Sequence, residues 1–107
     1  MNDAITRARA LQFLKWHRHE IELLTKAASE NVHDHHPLVT DTELLKATKR
    51  FLQELEEIAT EHPGIQELRL YVRKAIGAEN HSRYIAAMQC AKSSAEHYIF
   101  ELDQSWK

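Results

Sequence analysis

Glycine and proline are almost missing from this chain, with 2 of each in 107 residues. Ordinary domains use about 7% glycine and about 5% proline. Tight hairpins and phosphate-cradling loops need glycine at positive φ. Their scarcity argues against a hairpin-rich β fold and a glycine-rich nucleotide loop, and for long helices joined by short connections. Cysteine is limited to Cys90, so no intramolecular disulfide and no CxxC pair can form. No signal-peptide pattern opens the sequence, which together with the single thiol leads us to expect a reducing, cytoplasmic setting. No apolar run approaches the roughly 20 residues of a membrane span. Neither charge sign dominates, with 14 basic against 16 acidic residues, so no global field draws nucleic acid or membrane to the chain. The sequences GxSxG and GxxxxGK[ST] do not occur, so no nucleophile elbow or Walker loop is expected.

Apolar residues at helical spacing fill the space these absences leave. From about Asp3 to Glu30, Ala10, Leu14, His17, Ile21, Leu24 and Ala28 share one stripe. Phe13, Trp16, Leu23 and Ala27 form a second stripe beside it. The two together are wider than one neighbouring helix buries, so helix 1 either sits between two neighbours or meets another chain. In helix 2, Thr40 with Glu43 three residues on reads as a capping box, and Val39 against Leu44 as a hydrophobic staple. Leu44, Leu45, Ala47, Thr48, Phe51, Leu52, Leu55, Ile58 and Ala59 then fall on one arc, up to the stop at His62-Pro63. Helix 3 is expected from Pro63 or Ile65 to Ile76, with Gly77 as its C-terminal stop. Helix 4 is expected from Asn80 or Ser82 to Gln104, with Ala87, Ala91 and Ala95 one turn apart for close packing.

These elements predict a single domain over residues 1–107: an all-α, antiparallel up-down four-helix bundle. A three-helix bundle with a long C-terminal helix is the alternative, should the chain stay helical through Gly77.

Histidine is abundant, with 8 copies. The net charge of −2, counted with histidine neutral, therefore changes sign when all of them are protonated, chiefly between about pH 5 and 7. The run NVHDHHPLV holds His33, Asp34, His35 and His36. A zinc or other divalent transition-metal site needs about four converging ligands, more than one short loop closes alone. In an up-down bundle the connection between helices 3 and 4 lies at the same end as this loop. The metal reading thus requires His33, His35, His36 and His81, with Asp34 or Glu79. Pro37 and the polar residues equally suit a plain break between helices. His97 and Glu101 stand at i and i+4, the spacing of a surface pair. His17, on the core stripe, is expected to pack with one nitrogen satisfied. Cys90 is expected as a small helix-packed thiol.

No catalytic constellation emerges, and the chain is expected to be non-enzymatic. The favoured function is a small protein-interaction module of the adaptor, inhibitor or immunity-like accessory kind, homodimeric, with Phe13, Trp16, Leu23, Phe100 and Trp106 as interface residues. The alternative is a histidine-based metal-binding or metal-sensing bundle. Arg69, Arg73, Lys74, Arg83 and Lys92 make a local basic excess, and Glu54, Glu56, Glu57, Glu61 and Glu67 an acidic one. Two opposed patches on a small protein fit complementary docking of chains better than nucleic acid.

Overall fold

The computed structural model describes residues 3–30, 37–58 and 62–104. It forms an antiparallel four-helix bundle from α1 (Asp3–Glu30), α2 (Thr42–Glu57), α3 (Pro63–Ile76) and α4 (His81–Gln104). The three-helix alternative does not hold. α3 ends at Ile76, and α4 starts only after Asn80 has capped it by accepting from the Arg83 N–H at 2.9 Å. The 28-residue α1 and the 24-residue α4 are the long pair. They run antiparallel, as the pairs Lys15–Asp103 and Glu22–Lys92 show. α4 also packs along α3, and α3 along α2.

The inner stripe of α1 is buried as its period predicts: Ala10, Leu14, Ile21, Leu24 and Ala28 all join the core. From α4 come Tyr84, Met88, Ala91, Ala95, Ile99 and Leu102. From α3 come Ile65, Leu68, Val72 and Ala75, and from α2 Leu44, Phe51 and Leu55. Gly64 is buried at the α3–α4 contact, where an added Cβ would stand 3.0 Å from the Tyr98 ring and 3.1 Å from His62 Nδ1. Glycine is needed here for close approach. Gly77 is not: its φ is −85°, which any residue adopts. The helix end there is set by ordinary turn bonding, with Gly77 N–H donating to Arg73 O at 3.1 Å, not by a left-handed residue.

Both boundaries of α2 differ from the sequence expectation. Thr40 is not the cap. It closes a 3-10 turn, Leu38–Thr40, and its hydroxyl donates to Pro37 O at 2.7 Å. Asp41 caps instead, accepting from Leu44 N at 3.2 Å. Aspartate caps at least as well as threonine, and Asp41 has a second, tertiary partner described below. The staple side chain of Val39 lies outside the described residues. At the other end α2 stops at Glu57, and Ile58 is extended. The Arg69 guanidinium of α3 takes the freed carbonyls, Nε to Leu55 O at 2.9 Å and Nη2 to Ile58 O at 2.8 Å. A cation on the carbonyl end of a helix also opposes its dipole.

Candidate functional site

Three places in the bundle stand out: the end shared by two connections, the α3–α4 edge, and the outward face of α1.

At the shared end the backbone joins the two connections. Leu38 N–H donates to Glu79 O at 3.0 Å, and Pro37 bridges to Asn80. The connection between α3 and α4 therefore does stand beside the flank of the histidine run. His81 is only 5% exposed, and its Nε2 donates to Asp41 Oδ2 at 3.0 Å. One carboxylate thus caps α2 with one oxygen and holds the first residue of α4 with the other. Next to it, Thr48 donates its hydroxyl proton to Leu44 O at 2.7 Å. Thr48 Oγ1 then accepts from the Tyr84 hydroxyl, also at 2.7 Å. Burial pushes the Tyr84 hydroxyl up to about 12, with the negative charge of Asp41 adding to the rise. This buried polar set locks α2 to α4. His33, Asp34, His35 and His36 lie outside the described residues. Among the described residues, no three metal-binding side chains converge, and the Nε2 face of His81 is taken by Asp41.

The α3–α4 edge holds a second polar cluster that the sequence reading missed. Ser94 Oγ donates to Glu67 Oε2. The Tyr98 ring meets His62 edge-on at 5.6 Å and His97 at 5.2 Å. Desolvation first, then the negative charges of Glu67 and Glu101, raise the Tyr98 hydroxyl above its ordinary range. His62 caps α3: its Nδ1 accepts from Gly64 N–H at 3.0 Å, which requires a neutral, unprotonated Nδ1. Burial lowers the His62 pKa, with Glu101 opposing. His97 and Glu101 form the exposed pair their spacing predicts, at 3.2 Å.

The histidine on the core stripe behaves as expected. His17 is 8% exposed, its Nδ1 donates to Phe13 O at 2.5 Å, and its ring stacks on Phe51 of α2 at 5.4 Å. Cys90 is not helix-packed. It is an exposed thiol on α4, because its phase falls outside the buried stripe of that helix.

On the outward face of α1, Trp16 is 64% and Leu23 50% exposed. Of the other interface candidates, Phe100 on α4 is 63% exposed. Phe13 is half-buried, edge-on to His17 at 6.2 Å. Trp106 lies outside the described residues. Leu70 on α3, not among the expected interface residues, is 48% exposed. Lys15 and Glu22 mark the α1 edge that faces α4, and Trp16 and Leu23 each lie about 100° further round. Phe100 and Leu70 are exposed on two other helices, α4 and α3. Scattered single residues are normal on a surface, whereas two large apolar residues on one stripe are a coherent feature.

The charged patches are largely internal matters. Arg69 is occupied by the α2 carbonyls, Arg73 pairs with Glu56 at 2.9 Å, Lys92 with Glu22 at 3.4 Å, and Lys74 lies over the Tyr71 ring. A groove of about 390 Å³ between α1 and α4 is lined by Glu22, Thr25, Lys26, Ser29, Gln89 and Lys92. It is open and polar. Among the described residues no helix is long and apolar enough to cross a membrane. Comparison with family models, curated proteins and solved structures found no match for the chain.

Proposed function

We propose that this protein is a non-enzymatic interaction module that works as a homodimer, with the outward face of α1 as its contact surface. The observation that carries this reading is the exposure of Trp16 and Leu23 on one stripe of a helix whose inner stripe is buried. Tryptophan is among the residues most enriched in interfaces and their hot spots. The interior supports the same reading. Among the described residues every buried polar side-chain atom has a partner, and the polar clusters cap and join helices. Sedimentation or light scattering over a micromolar concentration series is the test. A dimer that dissociates on Trp16→Ala/Leu23→Ala, with the circular dichroism of the fold retained, is the expected result. A monomer at all concentrations would refute the homodimer.

A second reading, metal binding by His33, His35, His36 and His81, has one observation in its favour. The Leu38–Glu79 hydrogen bond holds the flank of the histidine run beside His81. Its test is elemental analysis of untagged protein with and without alanine at His33, His35 and His36. Stoichiometric zinc or another divalent transition metal lost in the triple variant supports it, and metal-free protein removes it.

A further inference from the structure

The outward face of α1 has an order along its length that singles out one arrangement of two chains. Arg9, Trp16, Leu23 and Glu30 follow one another at a spacing of seven residues. A seven-residue repeat keeps side chains on one seam when two helices cross at the shallow left-handed angle of coiled-coil packing. All four residues are exposed. Among the described residues, neither Arg9 nor Glu30 takes part in an ion pair within the chain. The seam therefore reads basic, apolar, apolar, acidic, over about 32 Å at 1.5 Å per residue.

That order is complementary to itself in one direction only. With two copies of α1 parallel and in register, Arg9 meets the partner's Arg9 and Glu30 meets the partner's Glu30. With the copies antiparallel about a twofold axis passing between His19 and Glu20, Trp16 lies on the partner's Leu23 and Leu23 on the partner's Trp16. Arg9 then faces the partner's Glu30 at both ends. An isologous dimer requires this kind of match, in which residue i meets j and j meets i. We propose that a second copy of this chain docks antiparallel on α1 in this register. The proposal rests on the homodimer reading above and adds its geometry. The aromatic–leucine layer supplies the desolvated centre, and the two ion pairs form the polar rim that sets direction. One helix pair covers less than the about 800 Å² per partner of a standard interface, so assembly is expected in the micromolar range.

Charge exchange on the seam tests the register separately from the dimer. In Arg9→Glu both end pairs become Glu–Glu, and in Glu30→Arg both become Arg–Arg. Each variant is expected to weaken self-association about tenfold at low salt, since exposed pairs contribute modestly. The double variant Arg9→Glu/Glu30→Arg restores the wild-type value. An equimolar mixture of the two single variants forms the heterodimer in preference to either homodimer, because both of its end pairs are again opposite in charge. The differences shrink in high salt. A wild-type monomer at every concentration overturns both this proposal and the homodimer reading. A wild-type dimer that ignores the single reversals, or is not restored by the double, overturns the antiparallel register and leaves the homodimer standing. Circular dichroism of each variant, substituted at exposed positions, confirms that the fold is intact.

Discussion

The interior of this bundle and the outward face of α1 are built from similar residues and end in opposite states. On the inner stripe, Leu14 and Ile21 are fully buried between neighbouring helices. On the outer stripe of the same helix, Trp16 and Leu23 are half or more exposed. The difference lies in the number of neighbours. α4 and α2 cover one side of α1, and the other side is left open. A helix apolar on more than one face needs more than one neighbour to cover it, and within this chain Trp16 and Leu23 stay exposed. The interior teaches the complementary lesson. Its polar groups, Asp41 with His81 and Thr48 with Tyr84, are satisfied in pairs, so the site of strongest polar contact is a structural joint.

The contrast breaks most visibly at Ile21. Ile21→Ala opens a cavity in a fully packed core and is expected to cost about 2–5 kcal/mol, read as a fall in the urea or guanidinium midpoint. Asp41→Ala comes next. It removes the α2 cap, worth about 1 kcal/mol, and leaves buried His81 Nε2 without its acceptor, worth a further 1–3 kcal/mol or so. Asp41→Asn, which keeps the cap, is expected to fall between wild type and alanine in the same measurement.

A smaller effect is expected at His62. Its folded pKa is lowered by burial, so the fold favours the neutral ring whose Nδ1 caps α3. Its contribution to stability is therefore full above the unfolded value of about 6.5. It declines as pH falls below that value toward the folded one. Denaturation at pH 7.5 and 5.5 is expected to show wild type losing more stability on acidification than His62→Asn, which keeps a capping side chain that does not titrate. Equal losses would place the pH sensitivity elsewhere. The smallest change is expected at Leu23: on the monomer, Leu23→Ala stays within about 0.5 kcal/mol of wild type, although it is as large a truncation as those that disrupt the core.

Much of this architecture was legible in the residue order. α2 shows how. Leu44, Thr48, Phe51 and Leu55 repeat at helical spacing and are the residues it buries. The Pro63 start of α3 and the Asn80 start of α4 were visible as local chemistry. The cap of α2 was misread because Thr40 and Asp41 are adjacent and both able. What separates them is His81, 40 residues away in the chain. The early end of α2 has the same kind of cause, since the carbonyls freed there are taken by Arg69 of α3. The α3–α4 cluster around Tyr98 was missed because Glu67, His62 and Ser94 carry no shared spacing and meet only across two helices. Phe13, Trp16 and Leu23 were placed correctly on a second stripe, but phase does not say which part of a stripe a neighbour covers.

By itself the sequence determined that the chain is helical, where each helix lies to within a few residues, and which stripe of each is apolar. Those properties follow from local periodicity and from the near absence of glycine and proline. Only the tertiary structure decided which polar residues pair, which carbonyls Arg69 caps, and which apolar stripe of α1 stays open. Each of these depends on contacts between residues far apart in the chain, and no local pattern encodes which helix faces are brought together.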